Sequence, residues 1–395
     1  MVPRNRLVLS ESTWICGERM TDLRWAGCDL KILRARGAKI FLLKNHKDKE
    51  SLEQLRRLLW RRDEHVILSW LLPYELAAIR PLLNERKNFS IVAVDWWIQP
   101  HWFMREADHI IFRMYHGIAV RLGQKAFLTG PKPPLLVNPI PHNAVGLYAW
   151  ATVVLRPPAL AISPFMEAWN RWCRRNEPIV PEKYLFLPFA INCVAEMPLK
   201  PEKVQYDFAN TASTCATWLM RDAHAPFNLT FANLYHDRKL LVDAILAFEN
   251  NPFTFYDCRR EKNHFLPYDL YLQKSQQTRF VVSTGGLHDV GLPKYLEYAY
   301  LGTPMIGRSV PFELPWLDKC LFTLDPTHLT RAQVKSLLEE ALDRYPVFKE
   351  NCLNLRDRLL RLYDFNTLLD MLQSQADGNP IPSDYLKPAT TRDNL

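Results

Sequence analysis

No apolar run in this chain is long enough to cross a bilayer. The longest candidate, residues 146–155, is ten residues long and stops at Arg156, Pro157 and Pro158, about half of what a spanning helix needs. The first ten residues lack the apolar core of a secretory leader, so the expected location is the cytoplasm. Glycine is scarce, 13 residues beside 29 prolines, which argues for stiff loops. The eight cysteines, scattered from Cys16 to Cys352, contain no C-x-x-C pair. Their spacing matches no small secreted framework, and reduced core thiols are expected. There is no G-x-x-x-x-G-K-[ST] and no G-x-G-x-x-G after the first strand, which argues against NTPase and dinucleotide chemistry. Arg/Gly-rich and helix-turn-helix signatures are also missing, so nucleic acid is not an expected partner.

What remains has ordinary globular make-up: 395 residues, 48% hydrophobic and 23% charged, enough for two domains. The net charge of +8 is unevenly placed. Residues 1–200 hold 29 Lys and Arg against 18 Asp and Glu, an excess of 11, whereas the remainder holds 21 against 24. A basic half beside a near-neutral one suggests that one domain faces something anionic, an acceptor or a membrane surface. The alternative is an ordinary solvated basic face.

Along the first half, short apolar runs alternate with amphipathic stretches. Strands are expected at 6–9, 39–43, 65–70, 89–97, 107–112 and 184–189, and helices at 22–36, 52–61, 74–84 and 164–175. Near-continuous apolar strands alternating with helices argue for a parallel sheet covered on both faces. Residues 193–205 have linker composition, and the domain boundary is expected there. A second series follows, with strands at 208–211, 253–256, 279–283, 305–306 and 321–324. Its helices are expected at 236–248, 266–276, 292–301 and from 331 to about 372. The expected organisation is therefore an α/β domain over 1–192, a linker over 193–205 and a second α/β domain over 206–375 that includes the C-terminal helices. The polar tail, 376–395, is expected to be disordered.

The most informative stretch runs from Phe280 to Gly307. An apolar strand enters Gly285-Gly286, a loop closes at Gly291, and a helix begins near Leu292-Pro293. Glycines let backbone approach a ligand closely, and a helix N-terminus offers free N–H groups to a diphosphate. Lys294, in the first turn, adds a cation for the same anion. One turn on, Glu297 can accept hydrogen bonds from a ribose diol. The helix stops at Gly302, and Thr303-Pro304 turns the chain into the next strand.

This segment resembles the donor-binding signature of the GT-B glycosyltransferases, whose family 4 members carry an acidic residue, seven others and then a glutamate. Asp289 and Glu297 have that spacing, with Asp where the family usually has Glu. The resemblance implies that Glu297 holds the ribose of a sugar nucleotide, that Asp289 lies near the transferred sugar, and that Thr284, Gly285, Gly286, His288, Gly291 and Lys294 line the donor site. Residues 183–192, the proline-bearing linker and Tyr206–Thr211 are similar to the domain crossover of spore-maturation-type glycosyltransferases, in which an Arg begins the first helix of the second domain. Arg238 matches it. The stretch from Gly285 to Phe312 also resembles the exostosin-like family, which shares the fold.

In the first half, residues 66–73 and 91–97 follow the order of family 4 strands. Asp95 stands where such a strand end often carries a histidine, a place that suits an acceptor-activating base or a sugar contact. His101, His109, His116 and His142 are more often structural than catalytic residues. The chain has no Asp-x-Asp motif, with which transferases of the other major fold hold Mn²⁺ or Mg²⁺ on the diphosphate. No metal or other cofactor is therefore expected, the helix dipole and basic side chains stabilising the leaving group instead.

The resemblance thus implies two tandem Rossmann-like domains facing each other across a cleft. It also implies transfer of a sugar from a nucleotide-sugar donor to a glycan, lipid-linked or other acceptor, with peripheral membrane contact through the basic half as an extension. The rival readings are another sugar-nucleotide enzyme, such as an epimerase, and a non-catalytic glycan- or membrane-binding protein on the same fold.

Overall fold

The computed structural model describes residues 13–17, 39–43, 49–59, 66–69, 89–93, 107–113, 181–196, 203–212, 236–248, 251–260, 266–283, 293–308 and 313–386, with a few isolated positions besides. The chain divides into two units. One comprises Met1–Cys193, Tyr363–Pro382 and Ala389–Leu395, and the other Val194–Leu362 with Ser383–Pro388.

The first unit carries a six-stranded sheet built from β1 (Thr13–Gly17), β2 (Lys39–Leu43), β3 (Val66–Ser69), β4 (Phe89–Ala93), β5 (His109–Phe112) and β6 (Tyr184–Phe186). Their order is β2-β1-β3-β4-β5-β6, and every pairing is parallel. The strands are short, as parallel strands of a buried sheet are; all four residues of β5 are buried. Helix α1 (Lys49–Leu59) buries Leu55 and exposes Glu53, Arg56 and Arg57, as one-sided packing at 3.6 residues per turn requires. The expected strand at 6–9 and helices at 22–36, 74–84 and 164–175 fall outside the described residues, apart from single helical positions. β1, which lies between β2 and β3, was not expected, because Thr-Trp-Ile-Cys-Gly is a weaker local apolar run than Leu7-Val8-Leu9.

The expected linker overlaps a short helix, α2 (Asn192–Ala195), and its last residues run into the second sheet. That sheet consists of β7 (Tyr206–Asn210), β8 (Phe255–Asp257), β9 (Thr278–Val282), β10 (Met305–Gly307) and β11 (Leu321–Thr323). It is also all parallel, in the order β11-β10-β9-β7-β8. The second sheet thus follows the doubly wound order 2-1-3-4-5, and the first the same order extended by β6; in sheets of this order ligands bind at the carboxyl ends of the first and third strands.

Helices α3 (His236–Leu246), α4 (Tyr268–Gln276), α5 (Pro293–Leu301), α6 (Arg331–Asp343) and α7 (Tyr345–Leu362) complete this unit. Its core centres on Phe208, Phe280, Ile306, Phe322 and Phe348. Phe348 of α7 meets Phe280 of β9 and Phe322 of β11 edge-on, with ring centroids 5.9 and 6.1 Å apart, a favoured aromatic geometry. A reciprocal capping box between Thr330 and Gln333 starts α6 and satisfies two otherwise orphaned backbone donors.

The C-terminal helices do not all belong to the second unit, contrary to expectation. The last, α8 (Phe365–Ala376), is part of the first. Gln375 accepts from the Phe186 amide and donates to the Phe186 carbonyl, both at 2.8 Å. β6 is an edge strand, and one carboxamide supplies the donor and acceptor that such an edge leaves over. Asp364 caps α8 and accepts from Asn192 Nδ2 at 2.9 Å. Part of the tail expected to be disordered is folded. A 3₁₀ turn at Ser383–Tyr385 buries Tyr385, whose hydroxyl donates to the Leu362 carbonyl at 2.6 Å. Residues 387–395 lie outside the described set.

Candidate donor site

The crevice position in the second sheet lies between β7 and β9. β7 ends in Asn210, followed by Thr211; β9 is followed by Ser283, and the described residues resume at α5. Ser283 is held against β10 because Gly307 has no side chain: a Cβ there would stand 2.0 Å from the Ser283 carbonyl oxygen. The glycine sets how closely β10 approaches Ser283.

α5 starts at Pro293, whose fixed φ and missing N–H suit the first helical position. Its far end is tied down twice. Gly302, at φ +76°, closes a Schellman motif in which Thr303 donates to Tyr298 and Gly302 to Ala299. Arg356 of α7 then donates to the carbonyls of Tyr300 and Leu301 at 2.6 and 3.0 Å. With the last turn fixed, the first turn presents Lys294 and the second Glu297 in a set geometry.

Glu297 is buried and accepts two phenol hydroxyls, Tyr268 on Oε1 at 2.9 Å and Tyr271 on Oε2 at 2.7 Å. Both tyrosines come from α4, three residues apart, with rings stacked at 5.7 Å. Lys294 Nζ lies 4.6 Å from the centroid of the Tyr271 ring, a cation–π contact. Tyr298, on the same helix as Glu297, reaches back to Thr211 Oγ1 at 2.9 Å and so links α5 to the end of β7. Burial raises the Tyr298 phenol to about 12 and drives that of Tyr271 well above its usual range. Both remain hydroxyl donors across the physiological range.

Arg238, in the first turn of α3, is buried beside this group. Desolvation first, then the Arg238 charge, lowers the Lys294 ammonium to about 8, with Glu297 pulling the other way. Two cations and one carboxylate therefore act on one another at close range, an arrangement that an anion would relieve. Along the same sheet edge Asn210 donates to Asp257 at 3.0 Å, and Arg259 bridges Asp257 and Asp243 at 2.8 and 3.0 Å. Cys258 is buried, and desolvation lifts its thiol to about 11, which leaves it chemically quiet. Cys320 and Cys352 are also free and buried.

Of the residues singled out in the sequence, Arg238, Lys294 and Glu297 come together here. Thr284, Gly285, Gly286, His288, Asp289 and Gly291 lie outside the described residues, as do Asp95, His101, His116 and His142. His109 is buried, with Nδ1 3.4 Å from Ser90 Oγ across the β4–β5 pair, a structural place at the amino end of its strand. Next to it, burial lifts the Asp108 carboxyl to about 6 while Lys183 opposes the rise; this pair too sits away from the carboxyl edge of its sheet. The tyrosines around Glu297 escaped sequence reasoning, because Tyr at helical spacing looks like core. A signal was present: Tyr268 and Tyr271 fall on one helix face, as do Tyr295 and Tyr298.

No protein family and no curated protein matches the chain in sequence. Among solved structures the chain is similar to a glycosyltransferase from Rickettsia africae, with a TM-score of 0.50 and 9% identity over 94% of this chain and 100% of that one. The fold is GT-B. Similarity continues more weakly to HepE of Anabaena in complex with UDP, at TM-score 0.47 and 8% identity over 93% and 100% of the two chains. WaaG, a glycosyltransferase of lipopolysaccharide biosynthesis, follows at 0.42 and 12% over 93% and 100%. The fold assignment rests on the first of these together with the two parallel sheets. Among the described residues, no helix of this GT-B chain is long and apolar enough to cross a membrane.

Proposed function

We propose that this chain is a glycosyltransferase that binds a nucleotide sugar at the carboxyl edge of its second sheet. The observation that carries the reading is the convergence of Arg238, Lys294 and Glu297, from helices more than fifty residues apart in sequence, at the N-terminus of α5. The diphosphate lies against the helix N-terminus, Lys294 and Arg238, and the ribose lies on Glu297. As the glycosidic bond to the sugar breaks, negative charge grows on the departing diphosphate, and the two cations and the helix dipole are already aimed at it. Catalysis on this reading needs no divalent metal. Asp289, and Asp95 as base or sugar contact, complete the proposed chemistry, and the basic residues 1–200 receive the acceptor, a glycan or a lipid-linked sugar.

A thermal-shift screen with UDP, GDP, CMP and TDP and their sugars tests the donor site, since a ligand that binds only the folded state raises its melting temperature. One nucleotide should stand out, and its sugar conjugate should release free nucleotide in the presence of an acceptor and excess EDTA. Isomerised donor without release would favour an epimerase, and turnover restored only by Mn²⁺ or Mg²⁺ would refute metal independence. No shift with any nucleotide would refute the donor site.

A further inference from the structure

Both oxygens of the Glu297 carboxylate receive an O–H donor, and the two donors differ in how firmly they belong to the fold. Tyr271 is buried, its ring 5.7 Å from that of Tyr298 and beneath the Lys294 ammonium at 4.6 Å. Tyr268 is only half-buried and sits in the first turn of α4, where the N-cap, Pro267, makes no side-chain capping bond. Oε2, held by Tyr271 at 2.7 Å, is therefore the inner oxygen, and Oε1, held by Tyr268 at 2.9 Å, faces the more accessible side. Two hydroxyls on the two oxygens of one carboxylate also form the pattern that a vicinal diol makes.

We infer that Tyr268 is a specificity-determining residue of this site, its phenol hydroxyl and a ribose hydroxyl competing for the same oxygen, Glu297 Oε1. The inference rests on the proposed ribose contact of Glu297. With Tyr271 donating to Oε2, the carboxylate is fixed as an acceptor, so whatever takes the place of Tyr268 brings its own O–H or N–H; a phosphate or carbonyl oxygen is refused. Each binding event then exchanges one hydroxyl for another at a charged acceptor. The ribose contact thereby selects for the presence of the hydroxyl and adds little affinity, because the bond it makes replaces one already made. The stack on Tyr271 keeps the Tyr268 ring close by after the exchange.

The test is calorimetric titration of the full chain with UDP, GDP, ADP and CDP, taking the tightest forward beside its 2′,3′-dideoxy counterpart, in wild type and in Tyr268→Phe. Removing the competing hydroxyl should tighten the ribonucleotide by about threefold to tenfold and leave the dideoxy nucleotide unchanged. Tyr271→Phe, which frees the inner oxygen and unfixes the carboxylate, should instead weaken the ribonucleotide. If wild type binds a nucleotide but Tyr268→Phe leaves the ribonucleotide unchanged, weakens it, or shifts both ligands alike, the competition does not exist and the donor site stands without it. If wild type and Tyr268→Phe both bind none of the four, the donor site itself is wrong and this inference falls with it.

Discussion

Lys294 stands between Arg238, which repels its charge, and Glu297, which attracts it, and burial lowers it further, to about 8. A bound diphosphate reverses that balance by adding negative charge beside the ammonium, so the pKa of Lys294 rises on binding. The sign follows directly. Below about 8 the side chain is already charged and binding costs no protonation; above it, each binding event must first recruit a proton. Nucleotide affinity should therefore fall as pH rises from about 7 to about 9, by up to tenfold per unit in the steep region. At the midpoint, titrations in buffers of different ionisation enthalpy should reveal net proton uptake. Lys294→Met should bind more weakly by about 1–3 kcal/mol and lose the pH dependence. A pH-independent affinity in wild type would place the anion elsewhere.

Single elements show what sequence reasoning reached and what it missed. Strands such as β5 and β9 were legible to within a residue or two, because both faces of an inner parallel strand are buried and the apolar run marks its length. Lys294 and Glu297 were legible because helix geometry alone puts them one turn apart at the start of α5. α8 was legible as a helix but not in its destination, which depends on Gln375 matching the edge of β6 across 189 residues. The tyrosines on Glu297 were hidden for a related reason: only tertiary contact separates a hydroxyl that binds a carboxylate from one that rests on a core. Gln375→Ala should leave both Phe186 groups without that partner and lower stability by about 2 kcal/mol, measurable by urea unfolding. Gly302→Ala should cost a similar amount. Its backbone is at φ +76°, where a side chain is strained by about 1–2 kcal/mol, and a Cβ would meet Leu353 Cδ2 at 2.7 Å. An unchanged unfolding midpoint in either variant would refute the corresponding role.

Across the whole molecule, charge is divided as the proposed labour is. Residues 1–200 carry an excess of 11 positive charges, while the remainder, which holds the proposed donor residues, is slightly acidic. The cations argued to meet the diphosphate, Arg238 and Lys294, lie in that acidic remainder, so nucleotide binding does not explain the basic excess. If the excess serves an anionic acceptor or a membrane surface, its effect is long-ranged and exposed, and salt should erode it, because charges separated by more than about 8 Å are screened at physiological ionic strength. The proposed donor contacts, to Lys294, Arg238 and Glu297, are short-ranged and made by buried or half-buried groups, so they should respond far less. Co-sedimentation with liposomes containing anionic lipid, run across a salt series beside nucleotide titrations under the same conditions, separates the two effects. Binding to the vesicles should fall steeply with salt while nucleotide affinity changes little, and neutral vesicles should bind weakly throughout. Equal binding to neutral and anionic vesicles, or binding insensitive to salt, would reduce the basic half to a solvated face and move the search for the acceptor to its aromatic side chains.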